Sequence, residues 1–480
     1  MHAPRRQRHR HQWAQCRNGC SPRYRLASRS RLTKVFCAGM TTRPALKREL
    51  GLRDLTLFAV TCIISARWIP MAAHAGPGSV TLWFLAAVLF MVPLAVAVAA
   101  LVAKYPEAGG LYLWTRRDFG AWAGFLSFWV YWMGIAFLFP TAALLYIKAG
   151  FSMFGPLFAR LGDNRFYLLS GTVAVIWIAL GSNLIGLKVG KWTENIGALA
   201  TWSVGLLLAG VAWMVWMRRG SATPLHILPK WSWGTINFWA AIAYATSGME
   251  AAGMMAGEIR EPERTMRRAA WIASGFTAAF YVSATVAFLI VLSPDHISEL
   301  NGFAEVGDSA GLLLGATWLS PLIAVLVVFS GVGFVGGIGT AASRLPFAAG
   351  VDRLLPAPFG RIHPRWGTPY ISILALGTVA TLLLVVYQLG DSMRVAYDEL
   401  VSLMVIAGFL PFLYIFGSAW KAGKRLTAAS GGAMTVLALL CSVVPPAEIT
   451  KVWLFEGKLA AGTLAVVGSA WLVYRRRRPS

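Results

Sequence analysis

Charge is scarce in this sequence, and acid is scarcer still. Only 13% of the 480 residues are charged, and 20 Asp and Glu stand against 44 Lys and Arg. A soluble domain carries about twice that charged fraction. With 57% hydrophobic residues, this chain has too little polar surface to cover a core in water. Histidine is limited to 7 and cysteine to 5. There is no HExxH, no histidine-rich loop and no strand-to-helix serine elbow, so the sequence offers no basis for an enzyme. The polar rings or filter repeats of a channel are missing as well. Cys16, Cys20 and Cys37 lie in the N-terminal tail and Cys62 and Cys441 in apolar runs, without the spacing of a disulfide framework. His9, His11, Cys16 and Cys20 fit no common zinc-finger spacing, and neither metal nor cofactor is expected.

What the chain has in quantity is apolar runs of membrane-spanning length. They predict an all-α integral membrane protein with twelve helices, at about 55–73, 79–103, 121–148, 166–183, 195–217, 236–256, 268–292, 309–342, 369–388, 396–418, 430–446 and 458–474. Residues 1–39 hold ten Arg or Lys and no acid. They read as a disordered basic tail, with the composition of a transit peptide. Met40 reads as the natural start, with 40–54 a cytoplasmic segment and 1–39 then untranslated.

The net charge of +24 would point a soluble chain toward nucleic acid. Here the basic residues sit between apolar runs, where they set topology, and no nucleic-acid partner is expected. With the N-terminus inside, the inner loops carry more than twice the Lys and Arg of the outer ones, among them Arg116, Arg117, Arg264, Arg344, Lys421 and the closing 475–478. Both termini are therefore expected in the cytoplasm of a multi-pass inner (plasma) membrane protein. The acidic stretch Asp295–Asp308 and the interfacial anchor Trp231-Ser232-Trp233 then fall outside.

Two of the runs are poor plain anchors. In 55–78 an arginine, Arg67, falls near the middle of the span and Pro70 follows it. Arg at a helix centre costs several kcal/mol unless it faces protein or water, and Pro removes a backbone donor. In the sixth run Thr246, Ser247 and Gly248 precede a membrane-depth acid, Glu250. Gly and back-bonding hydroxyls weaken a helix there. Interrupted first and sixth helices are what an inverted five-helix repeat predicts. Their half-helix N-termini would then face an anionic ligand group.

Gly76-Pro77-Gly78, Tyr105-Pro106-Glu107-Ala108-Gly109-Gly110-Leu111-Tyr112 with Phe119-Gly120, Tyr244 to Glu250, Glu258-Ile259-Arg260-Glu261-Pro262, and Ser343-Arg344-Leu345 with Leu355-Pro356 resemble the amino acid-polyamine-organocation (APC) superfamily of permeases. The resemblance spans about residues 50–420 and lies nearest to bacterial amino acid permeases and glutamate/GABA-type antiporters. It implies the LeuT-type fold: five-helix repeats over 55–217 and 236–418, helices 11 and 12 over 430–474, and a basic C-terminus at 475–480. It also implies alternating access around a central site.

Carried over by position, the substrate-carboxylate element falls on Ser65, Ala66 and Arg67, where the family's two glycines are replaced. A guanidinium there favours an acid-bearing solute. Tyr244 matches the gating aromatic and either closes over the solute or packs. Thr246, Ser247 and Gly248 complete the substrate set. Glu250 either titrates in proton coupling or pairs with Arg67 to brace the breaks. Thr201 stands at a coupling position on the fifth helix, and Gly336 to Gly339 with Thr340 on the eighth. A fixed charge at Arg67 in place of sodium suggests sodium-independent proton symport or exchange. Trp129, Tyr131 and Trp132 line the cavity or pack; His74 has a structural or gate-lining place, and His363 belongs to a loop. The alternatives are a non-transporting solute sensor or partner subunit, and a polyamine or organic-cation permease.

Overall fold

The computed structural model describes residues 48–152, 164–229, 233–388, 393–445 and 452–476, and among these the regular elements are helices, with one isolated bridge between Leu50 and Ile259. The tail 1–39 and residues Trp231 and Ser232 lie outside the described residues. In chain order the helices are α1 (Leu52–Ile63), α2 (Trp68–His74), α3 (Ser79–Lys104), α4 (Gly110–Phe119), α5 (Ala121–Ser152), α6 (Arg165–Leu184), α7 (Leu187–Arg219), α8 (Trp233–Ala245) and α9 (Met249–Met254). They continue with α10 (Pro262–Val291), α11 (Gly302–Leu314), α12 (Leu319–Val351), α13 (Tyr370–Gln388), α14 (Met393–Lys421), α15 (Arg425–Val443) and α16 (Val452–Arg476).

Among the described residues nine helices are long and apolar enough to cross a membrane, or ten if α1 and α2, bent by 46°, count as one interrupted span. One run read as a span from sequence falls short of that length: α8 with α9, at 13 and 6 residues. Helix α13 has 19 residues, with the apolar stretch Tyr370–Val386.

Three boundaries differ from the sequence expectation. The run at 309–342 divides at Gly315, whose φ of +69° ends α11 before α12 begins. The fifth helix starts at Leu187 instead of 195 because its first charged turn is anchored: Lys191 pairs with Asp54 of α1 at 2.6 Å. The segment 110–119 is a helix of its own. The string Gly307-Asp308-Ser309-Ala310-Gly311 has the letters of a serine elbow, but it lies inside α11.

Small residues set the closest contacts. Gly197 of α7 meets Gly333 of α12, and a Cβ on either would come within 2.5 Å of the other's Cα. Small-residue crossings of this kind let membrane helices gain dispersion energy from close backbone approach. In α3 a π turn covers Ala87–Met91, just before Pro93. Pro93 leaves the Leu89 carbonyl without a helical donor, and the Ser430 hydroxyl of α15 donates to it at 3.0 Å.

At one end of the bundle the loop ion pairs are Lys104–Asp118 (3.5 Å), Arg117–Glu107 (2.7 Å) and Arg116–Asp352. Deeper in, Arg344 of α12 makes a two-pronged contact with Glu258, Nε to Oε1 at 2.8 Å and Nη2 to Oε2 at 3.1 Å. The Glu258 carbonyl accepts from the N–H groups of Glu49 and Leu50, and Arg260 N–H donates to the Leu50 carbonyl. The segment ahead of α1 is thereby strapped to the one after α9.

Candidate solute site at two helix breaks

Helical hydrogen bonding stops at Ile63 and resumes at Trp68. Ile64 is extended, and Trp68 and Ile69 N–H donate only three residues back, to Ser65 and Ala66. Pro70 sits in the first turn of α2, where its missing donor is not needed. Backbone groups freed by the break are satisfied by one side chain. The Tyr281 hydroxyl donates to the Ile63 carbonyl and accepts from Ser65 N–H, both at 3.0 Å. Ser65 Oγ meets the Tyr146 hydroxyl at 2.9 Å.

Arg67 points into protein, at 2% exposure. Its Nη1 donates to Thr141 Oγ1 at 2.8 Å and its Nη2 to Met404 Sδ at 3.4 Å, while the guanidinium carbon lies 3.9 Å from the Trp68 ring centroid. Nε has no hydrogen-bond partner, and no carboxylate lies within ion-pair distance among the described residues. A buried arginine with two neutral partners and one empty donor lacks the counter-charge that burial normally demands.

The second break runs from Thr246 to Gly248, between α8 and α9. Thr246 and Ser247 hydroxyls donate back to the carbonyls of Ala243 and Tyr244, at 2.8 and 2.7 Å. Gly248 takes φ +121°, and a Cβ on it would lie 2.6 Å from the Cys62 carbonyl oxygen and 2.8 Å from Ile63 Cα. The two breaks therefore touch backbone to backbone. Glu250, 2% exposed, accepts from Gly248 N–H at 2.9 Å and from the Tyr131 hydroxyl at 2.8 Å. It does not pair with Arg67; the brace between the two charges is absent, and Tyr131 and the Gly248 amide hold the carboxylate in its place. Tyr244 packs edge-on to Trp68 and Phe409, centroids at 6.3 and 5.6 Å. Its ring thus adjoins the indole on which Arg67 lies.

At the two breaks the N–H groups of Ser65 and Gly248 already have acceptors, and Nε of Arg67 is a buried donor without one.

A family model described as amino acid permease matches residues 50–445. The chain belongs to the amino acid permease family. Among relatives, this permease is similar to an uncharacterized transporter of Legionella pneumophila, 26% identical over 90% of this chain and 97% of that one. It is 24% identical to the branched-chain amino acid permease BcaP of Bacillus subtilis, over 81% of this chain and 83% of the relative. It is also 25% identical to the glutamate/serine transporter AimA of the same organism, over 68% and 63%. Family and apolar helices together make the permease a multi-pass membrane protein and a transporter rather than an enzyme.

Elsewhere in the permease, the two residues singled out for coupling have partners. Thr201 Oγ1 lies 2.6 Å from Ser330 Oγ. Thr340 donates at 2.7 Å to Glu194, a buried acid in the first turns of α7 that the late helix start in the sequence reading concealed. Gly337 comes close to the Cys62 thiol: a Cβ there would be 3.2 Å from Sγ. Trp129 donates to Ser469 of α16 at 3.0 Å and belongs to the scaffold, as does buried Trp132. His74 Nδ1 meets the Ile297 carbonyl at 2.8 Å, and His363 stacks on Trp366 at 4.2 Å in an exposed loop. Thr141, Met404, Tyr146 and Tyr281 carried no signal in sequence, because each gains its role only through long-range contact. Among the described residues no group of His, Cys, Asp and Glu suits a metal.

Proposed function

We propose that the protein is a secondary active transporter that moves an amino acid, or a related carboxylate-bearing solute, across the plasma membrane by alternating access. The observation that carries this reading is the buried Arg67 guanidinium without an acidic partner. A solute carboxylate supplies the missing charge and engages the fork of donors. Glu250, equally buried and without a basic partner, is the complementary group for a solute ammonium. Opposite charges on touching breaks suit a zwitterion better than a polyamine. The fold reading is two inverted five-helix repeats plus two further helices, twelve spans in all. The paired interruptions in α1–α2 and α8–α9 support it. Both termini are read as cytoplasmic.

Coupling is read as sodium-independent, by proton symport or exchange, with Arg67 supplying the fixed positive charge. Uptake into proteoliposomes tests both parts. Free amino acids should compete with one another, whereas their decarboxylated amines and polyamines should not; competition by the amines would reassign the site to organic cations. Replacing sodium by choline should leave uptake intact. Glu250→Gln should lower uptake at every pH, and an unchanged rate with an unchanged pH profile would remove Glu250 from the site. Because one freed amide at each break, that of Ser65 and that of Gly248, is already bonded, a sensor built on the permease fold is the second reading. Binding without flux would favour it.

A further inference from the structure

We propose that the groove between the ends of α3, α10 and α14 is a binding site for an anionic phospholipid. A cavity of about 640 Å³ opens there. Four cations from separate elements border it: Lys104 ends α3, Arg267 lies in the second turn of α10, Lys421 ends α14 and Lys424 follows it. One acid, Glu263, stands against them. Two of the cations are held in place. Lys104 reaches Asp118 at 3.5 Å, and Lys421 donates to the Asp118 carbonyl with its Nζ 4.0 Å from the Phe119 ring centroid. Arg267 and Lys424 are exposed and have no acidic partner among the described residues. Such a cluster at helix ends attracts a phosphodiester.

The rest of the wall fits an acyl chain rather than a soluble anion. Ala95, Ala99, Ala100 and Ala103 of α3, with Ala270 of α10, line the cavity. At 1.5 Å per residue, the stretch from Ala95 to Lys104 extends about 14 Å below the charges. Small side chains leave a furrow there, and Trp271, 56% exposed, stands beside it where interfacial indoles collect. Helix-end cations over an alanine furrow match a headgroup over its hydrocarbon.

Native mass spectrometry of the full chain in detergent tests this with phosphatidylglycerol, phosphatidylcholine of the same acyl chains, and inorganic phosphate. Phosphatidylglycerol should bind, phosphatidylcholine should bind about tenfold or more weakly, and phosphate at the lipid's concentration should not displace it. The double variant Arg267→Ala, Lys424→Ala should lose about tenfold in phosphatidylglycerol affinity. Ala100→Phe should lose a similar amount with every charge in place. The control Arg475→Ala, Arg476→Ala, on α16, should keep wild-type binding. Equal retention of the two lipids, or full binding by both the double variant and Ala100→Phe, would overturn the site. Displacement by phosphate alone would overturn the acyl furrow and leave a soluble-anion site in its place.

Discussion

Arg67 is the residue on which sequence and structure agree about position and differ about company. Its depth follows from the length of the apolar run around it, but its neighbours do not. Thr141 and Met404 come from helices more than seventy and more than three hundred residues away, and no local pattern marks them. A charge buried without its opposite weakens the fold, so function and stability separate at this position. Arg67→Met should abolish uptake while raising the melting temperature by about 2 °C or more. A lower melting temperature would make Arg67 structural. Tyr281 presents the reverse case. Its hydroxyl closes two backbone valences at the first break, so Tyr281→Phe should destabilise by about 2 kcal/mol, read as a fall in melting temperature. No change would mean that other groups satisfy those valences.

At the scale of elements, the interruptions were legible in composition because Arg, Pro, Gly and hydroxyl residues do not suit an uninterrupted apolar helix. Their contact was not, because backbone touching backbone at Gly248 and Cys62 needs the third dimension. Gly248→Ala puts a Cβ into a carbonyl and forces a strained φ. It should cost about 3 kcal/mol and remove uptake. Gly457→Ala, on an open face of α16 with nothing within 4 Å, should be neutral or stabilise by up to about 1 kcal/mol. Equal tolerance of both would mean the breaks do not depend on each other. Helix α7 starts ahead of charges whose composition reads as loop, Lys191 and Glu194, because an ion pair to Asp54 and a hydroxyl from Thr340 make those charges tolerable inside the helix. At the opposite end, Glu305 of α11 accepts from Ser298 N–H at 2.7 Å. Burial holds its carboxyl above the usual range, against the pull of that N–H and of His74 and His296. The folded protein keeps this proton after the unfolded chain has released it. The contribution to stability is therefore full below the unfolded value and is lost as pH rises through the folded one. Glu305→Gln should flatten the fall of melting temperature just above the ordinary glutamate range; an unaltered slope would assign that fall to other groups.

For the molecule as a whole, the Arg344–Glu258 pair and the strap from Glu49 and Leu50 join the segment before α1, the segment after α9 and the end of α12. On the alternating-access reading proposed above, opening a path to the breaks from this end parts those contacts. Removing one member of a buried pair costs about 3–5 kcal/mol, so Glu258→Gln should favour the opened form. In a background with cysteines 16, 20, 37 and 441 changed to serine, a membrane-permeant thiol reagent should then modify buried Cys62 several-fold faster. An unchanged rate would place the barrier elsewhere. The π turn at Ala87–Met91 has reach of a similar kind. It accommodates one residue more than a regular helix would, and each residue rotates the remainder of the helix by about 100°. Because the turn holds that extra residue locally, deleting Leu89 would regularise α3 with Ala95 to Ala103 still facing α10 and α14, whereas deleting Leu94 from the regular helix would swing them away. A binding furrow would disappear through a change at a position that never touches it, because the phase of a helix is fixed by everything upstream of the point where it is used.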